Sequence, residues 1–260
     1  MRRISKSLII IFAVLTLGAP KAEAFFDNFC WPFWGNCQWN WNNFHKKKLD
    51  LKIDFSGYYN KPVDGYPNAG HWWPTDLTCQ NFFSFDDIKP GDFGEGTISL
   101  HLKNQDAWGC AIIRPTKNDD KSSPEPELLL DEKNKIADKW DGELAQNINF
   151  RIWADICAIS PAIPGDNLYR PDCDRLLAGG TGPLSAVKLA LADSANANVF
   201  TGVSGPLKKD KTYYLGADWN VSIDVGNIIQ TDTYKADITF FAEQAEGNAS
   251  FRCAGSQQNH

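Results

Sequence analysis

Alternation of apolar and polar residues dominates the chain after residue 48 and predicts β-strands. Leu49, Leu51, Ile53 and Phe55 alternate with charged residues, which places their side chains on one face of a strand. The same period of two recurs in the segments 83–85, 97–102, 148–153, 187–191 and 233–244. The apolar run 108–113 and the segment 213–225 are predicted to be further strands. About eight strands joined by polar turns predict an all-β fold, an antiparallel β-sandwich of jelly-roll type with long loops and short helical insertions.

Two segments depart from this alternation and are predicted to be irregular. Residues 116–139 are charged and contain prolines, which predicts an exposed insertion with one short helical turn. Residues 160–182 include the pair Gly179-Gly180 and are predicted to form a loop. Between these segments, residues 143–147 predict a second helical turn.

The first 24 residues carry the pattern of a cleavable export signal. Basic residues precede the unbroken apolar run Leu8–Leu17, and the triplet Ala22-Glu23-Ala24 follows it. Such a run rises only about 15 Å as a helix, half of a hydrocarbon core of roughly 30 Å, so it is too short for a membrane anchor. We therefore predict a signal peptide over residues 1–24, a secreted mature chain and no membrane span after cleavage.

The net charge of the mature chain limits the classes of partner that it can bind. The sequence has 26 Lys and Arg against 32 Asp and Glu. The signal removes four basic residues and one acidic residue, so the mature chain is more acidic still. Phosphate binding needs concentrated Lys and Arg, and the longest basic run is Lys46-Lys47-Lys48. We therefore predict no nucleic-acid partner.

Seven cysteines lie after the signal, at positions 30, 37, 79, 110, 157, 173 and 253. In an oxidising compartment this number predicts two or three disulfides and one cysteine that is free or joins another chain. We predict the pairs Cys30–Cys37 and Cys157–Cys173, because each encloses a loop with Pro and Gly that costs little chain entropy to close. The remaining three cysteines then supply one more bridge and the leftover thiol.

Residues 25–47 form an N-terminal arm of unusual composition. Nine aromatic residues fall within its first twenty positions, and a soluble monomer rarely leaves such a patch in water. They are Phe25, Phe26, Phe29, Trp31, Phe33, Trp34, Trp39, Trp41 and Phe44. Two interpretations stay open on aromatic content alone: the arm packs on its own domain, residues 48–260, or it docks onto a neighbouring copy.

Motifs for catalysis and metal binding are sparse. The four histidines do not form HExxH, and the segment 202–205 lacks the spacing of G-x-S-x-G. His101 falls on the polar face of a predicted strand, as an ordinary surface histidine does. The acidic loops 86–92 and 166–174 offer oxygen ligands that suit calcium, but neither has EF-hand spacing, and solvated turns are the favoured interpretation. We therefore predict no enzyme, no metal site and no cofactor.

The sequence DDIKPGD at residues 86–92, followed by the strand-like segment 94–100, resembles the TasA/camelysin family. Members of this family are exported proteins that form fibres in the biofilm matrix. Residues 49–51 are similar to the family's first strand, 143–153 to a segment common in its environmental members, and 230–240 to its last strand.

The resemblance spans roughly residues 49–253 and implies a jelly-roll domain that polymerises by donor-strand exchange. In that process an N-terminal segment of one subunit completes a sheet of the next. It implies a structural subunit of a matrix or cell-surface filament, whose partners are further copies and other matrix proteins, and it favours docking of the arm between copies. The chain departs from the family pattern after Phe26, where tryptophans and two cysteines replace a short strand and a stretch of small residues.

Two rival functions stay open. Trp72, Trp73 and Trp108 are expected to be exposed and able to stack on sugar rings, as in a secreted carbohydrate-binding β-sandwich module. Camelysin-type relatives are described as peptidases, although no residue here supplies a recognisable catalytic metal site.

Overall fold

The computed structural model describes residues 49–59, 71–76, 83–86, 88–120 and 140–253. These residues form ten strands, one short helix and one 3-10 segment. The strands are β1 Asp50–Tyr59, β2 His71–Thr75, β3 Phe83–Asp86, β4 Phe93–Lys103, β5 Ala107–Asp120, β6 Ile148–Ala154, β7 Arg175–Thr181, β8 Val187–Ala192, β9 Lys211–Val221 and β10 Asp232–Gln244. Helix α1 spans Leu144–Asn147, and the 3-10 segment spans Ile223–Ile229.

The strands pair in antiparallel fashion and build two sheets. The larger sheet has the order β2-β1-β4-β9-β6-β7 and the smaller one the order β3-β10-β5-β8. The pairs β3·β10, β4·β9, β5·β8 and β6·β7 nest inside one another, so the chain from β3 to β10 is one long hairpin wrapped across both sheets. This is the strand order of a jelly roll, and the predicted all-β sandwich is confirmed.

Strands β1 and β2 lie outside this eight-stranded unit. β1 pairs along its whole length with β4, from Asp50 opposite Lys103 to Tyr59 opposite Gly94. β2 pairs with β1 over Ile53–Ser56. The N-terminal strands therefore extend the larger sheet beyond β4.

The core lies between the sheets and is built from the inward-facing residues of the alternating strands. In β4, Ile98, Leu100 and Leu102 are at most 1% exposed, and in β9 Leu215 is fully buried. Burial of one such side chain contributes roughly 1.5–3 kcal/mol. The run Ala107–Ile113 of β5 is buried without alternation, as expected of a strand covered on both faces.

The sequence prediction was wrong in two segments that contain strands. Residues 160–182 do not form a loop throughout, because Arg175–Thr181 is β7. Residues 116–139 are not an exposed insertion from their start, because β5 continues to Asp120 and buries it together with Asn118. In both places glycines or charged residues suggested an irregular segment. The segment nevertheless forms a strand, because it pairs with strands that are distant in the sequence.

Smaller differences concern the ends of the elements. The strand expected over residues 213–225 ends at Val221, and the 3-10 segment follows. The helical turn expected near residues 143–147 is present as α1. Its position is fixed by two fully buried side chains: Asn118 Oδ1 accepts from the Ala145 N–H at 3.1 Å, and Asp232 Oδ2 accepts from the Leu144 N–H at 2.7 Å.

Two disulfides join described parts of the chain. Cys157–Cys173 closes the connection between β6 and β7, and this is the pairing expected from its loop composition. Cys110–Cys253 joins β5 to the segment after β10, so it supplies the additional bridge that the cysteine count predicts. The predicted pair Cys30–Cys37 lies outside the described residues and stays a prediction.

Candidate functional site

Sheet edges are the part of this fold that can bind another extended chain, because an edge strand presents backbone N–H and C=O groups on its outer side. The edge strands of the described sheets are β2, β7, β3 and β8. Three of them carry features that oppose strand addition. β2 has five residues and contains Pro74, β3 has four residues, and β8 carries the exposed Lys188 while its Leu191 C=O accepts from the Val199 N–H.

The fourth edge strand, β7, lacks these protective features over most of its length. After Arg175, its residues 176–181 are Leu-Leu-Ala-Gly-Gly-Thr, with no charge and no proline. Leu176 is 48% exposed, and the last three residues of the strand are exposed. The Arg175 side chain anchors the start of β7 by donating to the C=O groups of Asn198 and Val199 at 3.1 and 2.6 Å.

The register with β6 decides which backbone groups of β7 point outward. The last pair of residues in the β6·β7 ladder is Asn149 and Thr181. Directly beyond it, the Gly182 N–H donates to the Ile148 C=O at 2.8 Å. Hydrogen-bonded and non-hydrogen-bonded positions alternate along an antiparallel pair. Gly180 therefore turns its backbone groups toward β6, and Thr181 and Gly179 turn theirs away. Among the described residues, no strand pairs with this outer edge.

Small residues leave room beside this edge. Ala178 and Gly180 share one face of β7, since side chains alternate along a strand. Gly180 has a φ of +134°, a conformation that favours glycine, and a Cβ built on it would meet no heavy atom within 4 Å. An added strand with large side chains would therefore find space over this face.

The connection between β6 and β7 is held by carboxylates that bind its own backbone. Asp174 accepts from the N–H groups of Ile156 and Cys157 at 2.9 Å each and from that of Arg170 at 2.8 Å. Asp166 accepts two hydrogen bonds from the Arg170 guanidinium, at 2.8 and 2.9 Å. These contacts fix the end of the connection, where β7 begins.

The acidic loop at residues 166–174 is thus more ordered than a solvated turn. The side-chain hydrogen bond from Arg170 lowers the pKa of Asp166. Nearby Asp155 is 1% exposed, and burial raises its pKa although two backbone N–H groups oppose the shift. In the described part of the chain, no group of three or more His, Cys, Asp or Glu side chains is placed to hold a metal ion.

The same connection covers the outer face of the larger sheet. Trp153 is fully buried although it points away from the core, because the Tyr169 ring packs on it with a centroid distance of 5.5 Å. The Arg151 guanidinium also contacts the Tyr169 ring, with its Cζ 5.1 Å from the ring centroid. Gly216 lies beneath the indole, since a Cβ there would be 2.1 Å from Trp153 Cε2.

His101 lies on the polar face of β4, where hydrogen bonds hold its ring between side chains of the two neighbouring strands. Its Nε2 lies 2.7 Å from Asp54 Oδ2, and its Nδ1 lies 3.0 Å from Thr212 Oγ1. The three residues come from β1, β4 and β9, so the chain of hydrogen bonds ties β1 to the jelly roll. Sequence alternation indicates the face of each residue, but only the register between the strands brings the three together.

The tryptophans of the carbohydrate hypothesis lie in different environments. Trp73 on β2 is 77% exposed, whereas Trp108 on β5 is 8% exposed and its indole N–H donates to the Asn248 C=O at 2.8 Å. The expectation that Trp108 is exposed was therefore wrong. Trp72 lies in β2 next to Trp73.

The nine aromatic residues of the arm lie outside the described residues, and their role stays a prediction. No protein-family model and no curated protein matches the chain. None of the helices in the described ranges is long and apolar enough to cross a membrane.

Proposed function

We propose that this chain is an exported structural subunit that associates with its own copies into an extracellular or cell-surface filament by strand addition. The resemblance of residues 49–253 to the TasA/camelysin fibre proteins supports this proposal. The jelly-roll order of β3–β10 agrees with the fold which that resemblance implies. On this proposal the protein acts by assembly, without catalysis and without a cofactor.

The observation that carries the proposal is that the jelly roll is complete and that one edge of its larger sheet is uncharged. The strands of both described sheets come from residues after 49, so the strand order is complete without any strand from the arm. The edge at residues 176–181 carries no charge or proline to oppose another strand. An aromatic arm on one copy and an accepting edge on another are the two elements that strand addition requires.

The disulfides support the extracellular part of the proposal. Cys110–Cys253 and Cys157–Cys173 both join described residues, and structural disulfides persist in oxidising compartments. They are compatible with the export that the signal pattern of residues 1–24 predicts.

The test compares the mature chain, residues 25–260, with a chain that begins at residue 45. Light scattering and negative-stain microscopy at rising concentration should show filaments for the mature chain and none for the shortened chain. Far-UV circular dichroism should show a β-sheet spectrum for both. Filaments formed by the shortened chain, or a mature chain that stays monomeric at every concentration, would contradict the proposal.

A carbohydrate-binding module is the second candidate, and the exposure of Trp73 favours it. A flat exposed indole is suited to stacking on a sugar ring. A glycan array with the wild type and a Trp73→Ala variant separates the two functions. Saturable binding that the variant loses would support the module, and no binding is expected for a filament subunit.

A further inference from the structure

We propose that the outer edge of β7, residues 176–181, is the acceptor site for residues 38–44 of the arm of a second copy. This inference rests on the proposed function and names the two segments that would meet. The contact would add a seventh strand to the larger sheet, next to β7.

The acceptor is identified by comparing the four edges. Charge, proline and short length protect β2, β3 and β8, whereas residues 176–181 combine exposure with an uncharged sequence. The backbone groups of Gly179 and Thr181 point away from β6, so they are oriented for a further ladder. Gly180 offers open space for a large neighbouring side chain.

The donor segment is identified by its pattern. Residues 38–44 read Gln-Trp-Asn-Trp-Asn-Asn-Phe, in which Trp39 and Trp41 alternate with amide side chains. The segment contains no proline, no glycine and no charged residue, so it can pair as a strand along its whole length. Its tryptophans would share one face and cover the small residues Ala178 and Gly180.

The reach of the chain prevents residues 38–44 from pairing along their whole length with β7 of the same copy. Six residues lead from Phe44 to Asp50, where β1 begins, and they span at most about 22 Å when fully extended. Through the register, Leu176 lies in the row of Ser56, six residues along β1 from Asp50. The separation of Asp50 from Leu176 therefore has two components. It is about 20 Å along the strands, and it is four strand spacings, about 19 Å, across the sheet.

The direct distance from Asp50 to the nearest end of the acceptor is therefore about 28 Å, and residues 177–181 lie still farther along. A chain of six residues cannot bridge this distance, so the arm of a subunit cannot place residue 44 beside its own β7. A second copy has no such restriction. Strand addition at β7 that uses the whole of residues 38–44 is accordingly an intermolecular contact, and each subunit would offer one donor and one acceptor.

The first experiment blocks the acceptor in the full mature chain. Thr181→Pro removes an N–H that points away from β6 and places a proline ring on the outer edge, and proline is tolerated there because no β6 hydrogen bond is lost. Thr181→Val keeps the N–H and is the matched control. We expect at least a tenfold lower rate of assembly by light scattering for Thr181→Pro and an unchanged rate for Thr181→Val.

The second experiment tests the donor and does not depend on the folding of the proline variant. The double substitution Trp39→Ser with Trp41→Ser should abolish assembly, whereas Asn40→Ser with Asn42→Ser, on the other face, should assemble within twofold of the wild type. A peptide of residues 38–44 should slow assembly of the wild type, and a scrambled peptide should not.

The outcomes separate this inference from the proposed function. If the chain without residues 25–44 fails to assemble but Thr181→Pro assembles like the wild type, the acceptor is wrong and the filament proposal stands. If the double tryptophan variant and the double asparagine variant assemble alike, the donor is wrong. The same holds if the peptide of residues 38–44 and the scrambled peptide have the same effect on assembly. If the shortened chain forms filaments, the proposed function fails first and this inference fails with it.

Discussion

Asp193 and Asp232 are both buried aspartates that hold distant parts of the chain, yet their pKa values shift in opposite directions. Asp193 follows β8 and is 2% exposed. It accepts four hydrogen bonds: from the N–H groups of Ala195, Asn196 and Cys253 at 2.9, 2.7 and 3.1 Å, and from Asn196 Nδ2 at 2.9 Å. Burial raises its pKa, but these hydrogen bonds outweigh burial and leave the pKa below 3.8.

Asp232 opens β10 and is fully buried. Its Oδ2 accepts from the N–H groups of Glu143 and Leu144 at 2.6 and 2.7 Å, whereas its Oδ1 has no hydrogen-bond partner among the described residues. Burial raises the pKa of Asp232 to about 7, and the charges of Glu143 and Asp120 add to this effect. Two hydrogen bonds on one oxygen are too few to offset the loss of water.

The comparison shows that the number of donors, rather than burial itself, decides whether an ionised aspartate stabilises this fold. The contribution of Asp193 is present above its unfolded pKa and is lost as the pH falls through its folded pKa. Asp232 behaves in the opposite way, since its folded pKa lies above the unfolded one. Its contribution is greatest below about pH 4 and is lost as the pH rises toward 7.

The largest expected effect comes from removing the bridge that holds Cys253 beside Asp193. The Cys110→Ala and Cys253→Ala double variant opens a link between residues 143 positions apart. Loop-closure entropy predicts a loss of about 5 kcal/mol in the free energy of unfolding. The matched control, Cys157→Ala with Cys173→Ala, opens a link of 16 positions and should lose about 3 kcal/mol. Urea unfolding of both variants under non-reducing conditions measures this order, and a reversed order would contradict it.

The next effect is a direct loss of the Asp193 acceptors. Asp193→Ala leaves three backbone N–H groups and the Asn196 amide without this partner, so we expect a loss of about 3 kcal/mol at pH 7. The neighbouring Ser194→Ala, at an exposed position, should change stability by less than about 0.5 kcal/mol. The difference should shrink as the pH falls below 4, because the wild type then loses the same contribution. Urea unfolding at pH 7 and pH 3 tests both statements.

Asp232→Asn is expected to raise the free energy of unfolding, whereas Asp193→Ala lowers it. The amide keeps an oxygen for the Glu143 and Leu144 N–H groups and removes a buried charge, but it places a buried N–H₂ where the unpartnered Oδ1 was. Because the pKa of Asp232 is raised to about 7, removal of the charge outweighs this cost, and we expect a net gain of about 2 kcal/mol at pH 8. The gain should disappear near pH 4, where the wild-type carboxyl is protonated. Asp224→Asn, at an exposed position near the start of the 3-10 segment, is the control and should show no gain. A variant that is less stable than the wild type at pH 8 would contradict the assignment.

The sequence allowed the sandwich to be predicted, but not these buried charges. Alternation identifies the inward row Ile98, Leu100 and Leu102 because burial of one face imposes it directly. Asp232 reads as part of a polar turn, and nothing local shows that α1 will cover it. Strand β7 was missed because Gly179 and Gly180 suggest a loop, whereas an edge strand with one partner tolerates them.

The smallest expected effect on the free energy of unfolding concerns Asp155, which stands between Asp193 and Asp232. Its Oδ2 accepts from the Asn167 N–H at 2.8 Å, and its Oδ1 has no hydrogen-bond partner in the described ranges. Burial raises its pKa, and the charges of Asp174 and Asp166 act in the same direction. Asp155→Asn removes this charge but leaves a buried amide N–H₂ where Oδ1 was, and the second effect costs about as much as the first gains.

We therefore expect Asp155→Asn to change the free energy of unfolding by less than about 1 kcal/mol at pH 7. Asp155→Leu separates the two effects, because it removes the charge together with the acceptor for Asn167 and should be less stable than Asp155→Asn. Urea unfolding of both variants at pH 7 checks this order. A loss above about 2 kcal/mol for the asparagine variant would show that the ionised carboxylate stabilises the loop, and Asp155 would then belong with Asp193.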